Sequence, residues 1–272
     1  MLETLNPAPS AGAGPIRGSS WRTLLSPPLT GAENMACDVA LMERARATGE
    51  AVVRVYSWTA PTLSFGRNQK TAGYDPARLA QAGIDVVRRP TGGRAILHHR
   101  EITYSVTAPA EPGEPIAAAY EWINELLLAA LLALGVDAQI ARRTGRAPPP
   151  DANPCFATAA PGEITADGRK LVGSAQYREG GAMLQHGSIL VEDDQSALAA
   201  LVALPGSGHQ EPPATLAQAL GRAPHPRELY DALCNVMTTA GVDAEPLSAS
   251  ELADATARHA AAFLDSQWTW RR

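Results

Sequence analysis

Cys155, in the run Asn153-Pro154-Cys155-Phe156, and Lys170, fifteen residues further on, are two side chains able to do covalent chemistry together. A thiolate is a nucleophile, and an ammonium beside it lowers the thiol pKa and can carry its proton. Taken singly, a free cysteine is more often a small buried hydrophobe, and a lysine near a turn more often a guard on a strand edge. Scarcity argues for Lys170: of 23 basic residues only Lys70 and Lys170 are lysines. An arginine keeps its proton in a protein, whereas a lysine amine can lose it. The other cysteines, Cys37 and Cys234, lie in helical patterns and read as core residues.

Three further segments carry unusual chemistry. In Arg88-Arg89-Pro90-Thr91-Gly92-Gly93-Arg94-Ala95-Ile96-Leu97-His98 a strand enters a Gly-Gly turn and returns as a strand. Two glycines permit positive φ and close approach to a ligand, and the arginines could hold a phosphate or an acidic partner. A plain hairpin with surface arginines fits the same spacing equally well. In Gly168-Arg169-Lys170-Leu171-Val172-Gly173-Ser174-Ala175-Gln176 three small residues stand inside a strand, as if something flat such as an acyl chain lay on them. In Leu184-Gln185-His186-Gly187-Ser188 strand alternation sends Gln185 and Gly187 one way and His186 and Ser188 the other. His186 is then a candidate orienting group or an ordinary structural histidine. Of His98 and His99, adjacent on a strand, at most one can face a site.

The elements that must position these residues follow from the pattern around them. Residues 31–48 have helical spacing and meet Gly49, a suitable cap; residues 74–82 predict a short helix with Asp75 as N-cap and Pro76 first. Strand-like runs occupy 51–58, 62–66, 84–89, 94–99 and 101–107, and later 162–167, 169–178 and 182–192. Asp167-Gly168 is a type I′ hairpin signal. Residues 115–134 predict a buried helix ending at Gly135, whose apolar run 126–134 is too short for a bilayer. Residues 226–240 and 248–264 are also helical. Without regular βαβ alternation, the expectation is a single α+β domain with a mixed, largely antiparallel sheet flanked by helices.

Composition excludes several classes. A formal charge of −5 offers no global field for nucleic acid, and no metal-ligand spacing or P-loop is present. Three widely spaced cysteines make no disulfide framework and suit a cytoplasmic setting. Residues 1–20, rich in Pro, Gly, Ala and Ser, read as a disordered lead-in.

In this order, the segments resemble the lipoate and biotin protein ligase superfamily, and within it the octanoyl-transferases of the lipoyl-assembly pathway. The resemblance runs from Trp21 through YSWTAPTLSFGRNQ, RRPTGGRAILHH, GRKLVGSAQ and LQHGSIL to Gln267-Trp268. Asn-Pro-Cys-Phe at 153–156 resembles the cysteine-bearing branch; the ATP-using ligases carry an Arg-Asn-Asp type of segment there. The resemblance implies an acyltransferase unit over residues 21–272, with the superfamily core at about 44–250. It implies Cys155 and Lys170 as catalytic residues. Arg89, Thr91, Gly92, Gly93, Arg94, Ala95, His98, Gly173, Ser174, Ala175, Gln176, Gln185, His186 and Gly187 are implied for substrate.

The implied reaction moves an octanoyl group from octanoyl-acyl carrier protein, through an acyl-cysteine, to a lysine of a lipoyl-accepting protein such as glycine cleavage H protein. No cofactor, metal, nucleic acid or membrane is implied. Arg88, Arg89, Arg94, Arg142, Arg143 and Arg146 are expected to form a basic patch for the carrier. The alternatives are an ATP-dependent lipoate-protein ligase, an octanoyl amidotransferase between lipoyl domains, and a binding module that only holds an acyl ligand. The sequence departs from the family at Ala159-Ala160-Pro161-Gly162, where a bulky aromatic usually precedes the glutamate matched by Glu163. It departs also at Cys37 and Val39, where Leu and Glu are common and core tuning is the expected reason.

Overall fold

A computed structural model describes residues 16, 20–111, 113, 116–141, 162–195 and 212–271. Cys155, Arg142, Arg143, Arg146 and all but two residues of the expected lead-in lie outside the described residues.

The main sheet is built from strands whose alternate residues serve two different neighbours. Its order is β10-β11-β6-β2-β1-β12, with β1 at Trp21–Leu25, β2 at Ala51–Tyr56, β6 at Glu101–Pro109, β10 at Val172–Glu179, β11 at Ala182–Leu190 and β12 at Ala244–Pro246. β1 runs parallel to β2 and β12, and the remaining pairs are antiparallel. Two three-stranded sheets flank it. One has the order β4-β3-β5, from Thr62–Phe65 (β3), Asp85–Arg88 (β4) and Ile96–His98 (β5). The other has the order β7-β8-β9, from Ala138–Ile140 (β7), Ile164–Ala166 (β8) and Arg169–Lys170 (β9). The expected α+β architecture with a mixed, mostly antiparallel sheet is therefore the one formed. β1, β7 and β12 had no sequence signal of their own.

Helix α1, Gly31–Thr48, begins at a Thr30–Glu33 capping box and stops at Gly49, which takes φ 76°. It covers one face of the main sheet, with α6, Ala253–Leu264, packed outside it. Helix α2, Pro76–Gln81, has the predicted Asp75 cap. On the opposite face α3, Ile116–Ala133, buries Trp122, Ile123, Leu126, Leu127, Ala130 and Leu131 against Val53, Val55, Tyr104 and Val106. By length and composition α3 could cross a bilayer, but here that apolarity builds the main core. A short helix α4, Leu216–Leu220, leads to α5, Pro226–Thr239, which packs beside α3. The predicted helix over 248–264 divides into a 3-10 turn, Ala249–Leu252, capped by Ser248, and α6. A last turn, α7, spans Ser266–Thr269.

The α1 face of the sheet is unusual in carrying charge. Pairing aligns Arg54 on β2 with Ser105 on β6, and Ser105 with His186 on β11. Strand alternation turns all three toward α1, where Asp38 waits.

Candidate active site

Asp38 is completely buried and gathers the row beneath it. Arg54 Nη1 donates to its Oδ1 at 2.9 Å, and the Ser105 hydroxyl donates to the same oxygen at 2.8 Å. Tyr56 donates to Oδ2 at 3.2 Å, and His186 Nδ1 lies 3.0 Å from that oxygen. Burial pulls the Asp38 carboxyl upward, yet the hydrogen bond from His186 and the charge of Arg54 outweigh it and hold the group below the usual carboxylate range. Burial also pushes the His186 imidazole below its ordinary value, against the pull of Asp38. An ionised Asp38 can only accept, so His186 carries its proton on Nδ1 and offers Nε2 as an acceptor. The Thr91 hydroxyl, 2.6 Å away, donates to it. A chain of three side chains thus ties helix α1 to the loop before the Gly92-Gly93 turn.

That turn is held from its other side by Arg89, only 3% exposed. Its guanidinium donates to the carbonyls of Ser64 (2.9 Å), Gly92 (2.8 Å) and Arg94 (2.8 Å). Gly93 takes φ 93°, the left-handed region that favours glycine, whereas Gly92 has no positive φ. The loop after β3 fits against it without any spare room. A Cβ on Gly66 would lie 2.0 Å from the Gly93 carbonyl oxygen.

His98, at the end of β5, is bonded through Nε2 to the Ser64 hydroxyl (2.7 Å) and through Nδ1 to Glu101 (2.8 Å). Its ring stacks on Trp58 at 4.1 Å, and Trp58 donates to Glu101 and Thr103. His99, expected on the same strand, instead follows the end of β5 in a bend and is exposed.

Arg89, Gly93, His98, Gly173, Ser174, Ala175, His186 and Gly187 from the predicted set line one cavity. Met35, Tyr56, Trp58, Ile96, Thr103 and Ser188 complete it. The Ser188 hydroxyl is buried and has no hydrogen-bond partner among the described residues. Most of the surface this lining presents is apolar, suited to a hydrocarbon chain, with the buried Arg89, His98, Thr103, His186 and Ser188 set into the wall.

Other predicted residues support the cavity without lining it. Thr91 stands behind the turn, and the Gly92 and Arg94 carbonyls are engaged by Arg89. Ala95 packs with Leu63, Phe65 and Leu97 in the core of the small sheet. Gln185 faces α3, donating to the Tyr104 hydroxyl (3.0 Å) and to Asn124 (3.2 Å), and Gln176 lies beside it. The expected basic patch is corrected on two counts. Arg88 is fully buried, its guanidinium donating to the carbonyls of Gly66, Gln69 and Thr269, and Arg89 is the clamp just described. Neither is available to a carrier protein.

Gly187 is glycine for a specific reason. It lies between Tyr104 and Ser174 in the lateral row, and the Tyr104 ring crosses over it to bond Ser174 at 2.8 Å. A Cβ on Gly187 would come within 2.6 Å of that ring and 2.7 Å of the Gly173 carbonyl.

Lys170 lies at the head of this assembly. Asp167 and Gly168 both take positive φ, 55° and 72°, in the predicted two-residue turn between β8 and β9. Thr165 pairs with Lys170, whose side chain is 2% exposed and donates to Glu163 Oε1 at 2.8 Å. A buried ammonium paired with a carboxylate is not an edge guard in solvent. Glu163 itself is steadied through its neighbour, since Asn124 donates to the Gly162 carbonyl. Only Leu171 separates Lys170 from β10, whose Gly173, Ser174 and Ala175 line the cavity.

Sequence reasoning missed Asp38 and Arg54, because each has its partners on distant segments. Met35 was hidden in a helical pattern. Trp58 and Glu163 stood within segments that had been singled out, without a role assigned to either.

Comparison with known proteins adds the kinship. Residues 30–238 match the lipoyl protein ligase A/B catalytic domain. This chain belongs to that family. It is similar to octanoyltransferase LipM of Kyrpidia tusciae, with 42% identity over 196 residues, which are 68% of this chain and 71% of the relative. Against octanoyltransferase LipM of Symbiobacterium thermophilum the identity is 40% over 230 residues, 79% of this chain and 84% of the relative. The chain is accordingly an acyltransferase. The fold is shared with a chain from a structural analysis of an archaeal lipoylation system, a bi-partite lipoate protein ligase and its E2 lipoyl domain from Thermoplasma acidophilum. That chain superposes with a TM-score of 0.71 at 21% identity, covering 92% of this chain and 96% of the other. A lipoate-protein ligase A bound with ATP gives 0.74 at 21% identity, covering 92% and 98%.

Proposed function

We propose that the chain transfers an octanoyl group from octanoyl-acyl carrier protein to a lysine of a lipoyl-accepting protein, glycine cleavage H protein being the expected acceptor, through an acyl group on Cys155. The observation that carries this reading is the buried Lys170. It is one of two lysines in the chain, is paired with Glu163, and heads the strand that floors an apolar cavity. The relatives at about 40% identity are octanoyltransferases by name, which agrees with it.

In this mechanism the Lys170 ammonium holds Cys155 as a thiolate, which attacks the thioester carbonyl. The bond to the carrier sulfur breaks, and that sulfur leaves with the proton from the Lys170 ammonium. The neutral amine of the acceptor lysine then attacks the acyl-Cys155, Lys170 takes the proton released, and Cys155 departs as thiolate. Two thioesters are nearly balanced and the amide is downhill, so no nucleotide enters the balance. The eight-carbon chain lies along this mainly apolar cavity, where burial at about 0.8 kcal/mol per CH₂ gives roughly 6 kcal/mol of gross recognition. The unpartnered Ser188 hydroxyl is a donor for the acyl carbonyl at the Lys170 end.

Intact-mass spectrometry of the protein mixed with octanoyl-acyl carrier protein tests this reading. An octanoyl adduct on Cys155, absent in Cys155→Ser, is the expected result. Transfer from free octanoate that requires ATP, or from an octanoylated lipoyl domain alone, would replace it with a ligase or an amidotransferase.

A further inference from the structure

A second cavity, partly open to solvent, abuts the acyl pocket and has no part in the reading above. Three elements contribute to both cavities in succession. From α1, Met35 lines the first and Val39 the second. They are one helical turn apart, about 6 Å along the axis. From β10, Ala175 lines the first and Tyr177 the second, two residues on and so on the same face of the strand. Arg89 lines the first and Pro90, its neighbour, the second. The cavities therefore lie end to end along the groove between α1 and β10.

Their order relative to Lys170 is fixed by the strand. Lys170 precedes Gly173 and Ala175, which precede Tyr177 and Glu179. An acyl group tethered at the Lys170 end reaches the first cavity with its carbonyl and points its methyl end at the second.

The partition between the two is made of side chains that can be trimmed. Met35 is 1% exposed and packs with Val87 and Phe263, with half-buried Val39 against the same cluster. A methionine is unbranched and adaptable, so it can close a gap without a rigid fit.

We propose that Met35 and Val39 form the stop that sets acyl chain length, and that trimming them joins the two cavities so that chains longer than eight carbons are accepted. This rests on the acyl-transfer reading above for the identity of the ligand. The second cavity becomes the receiving space for the added carbons, with Tyr177, Phe263 and Trp268 as its apolar side and Arg46, Arg67, Glu179 and His259 on its polar side.

The test compares octanoyl and dodecanoyl carrier-protein thioesters with the wild type, Val39→Ala and Met35→Ala, each checked for fold by circular dichroism. The dodecanoyl-to-octanoyl ratio of kcat/KM should rise by about 10-fold or more in the variants, the scale that a few methylenes command in a hydrophobic pocket. Half-buried Val39 makes the gentler variant should Met35→Ala fail to fold. An unchanged ratio in a folded variant overturns the proposal. Calorimetric binding of free octanoate and dodecanoate reads the same preference without catalysis. A shift there in a protein that transfers no octanoyl group supports the length stop while removing the catalytic reading. A folded variant with unchanged binding preference removes the stop.

Discussion

Two turns border the cavity, and they are held in place by opposite means. The Gly92-Gly93 turn is anchored from a distance. Arg89 draws in the Gly92 and Arg94 carbonyls, and Thr91 is tied through His186 to Asp38 on a helix more than fifty residues earlier. The Asp167-Gly168 turn is local, set by two residues with positive φ and closed by the pairing of Thr165 with Lys170. The first shapes the pocket wall through buried polar groups that are costly to leave unpaired. The second presents one ammonium, held within a few residues by Glu163. Damage to the former should register as lost stability and damage to the latter as lost turnover.

The largest effect is expected at the local turn. Lys170→Arg keeps a cation but cannot accept a proton, so turnover should fall by about 1000-fold with melting temperature nearly unchanged. Transfer assays beside thermal melts check this, and near-normal turnover would remove Lys170 from the chemistry. A smaller effect is expected at the remote anchor. Arg89→Met strands the buried Ser64 carbonyl and the part-buried carbonyls of Gly92 and Arg94, and should lower unfolding free energy by about 3 kcal/mol, read from the urea midpoint. A midpoint equal to the wild type would show that the turn holds itself.

The smallest and most specific effect is a pH dependence confined to the remote anchor. The His186 pKa is depressed in the folded protein, chiefly by burial. The unfolded chain therefore binds that proton first, and stability erodes as pH falls below about 6.5. Asp38 is also depressed, with burial opposing and His186 and Arg54 prevailing. Its contribution is present above the ordinary carboxylate value of about 4 and is lost only as pH falls through the folded one. The windows are successive and share a direction. His186→Gln should remove the first window, so that stability between pH 7 and 5.5 declines less than in the wild type, as urea midpoints would report.

Local features were legible in the sequence, and features made of distant partners were not. The Gly49 cap of α1, the Asp75 cap of α2, the Asp167-Gly168 turn and the alternation that separates Gln185 from His186 depend on neighbours within a few residues. The buried role of Arg54 depends on Asp38 and Asn34. In the run AVVRVY it looks like one polar residue on an apolar strand. Arg88 and Arg89 were read as surface charges because consecutive arginines usually are. Here backbone carbonyls supply the acceptors, and no sequence pattern marks a carbonyl. β1 and β12 are short and exist by pairing with β2 and with each other.

Leu171 gives its amide to the Ile164 carbonyl in one sheet and its carbonyl to the Leu190 amide beside the other. A single residue is thus the seam between the strand that carries the ammonium and the strand that floors the cavity. Spacing there is counted in peptide units, and side-chain packing has no way to adjust it. Inserting one residue after Leu171 would invert the frame of β10, turning Gly173 and Ala175 toward α3 and presenting their neighbours to the substrate.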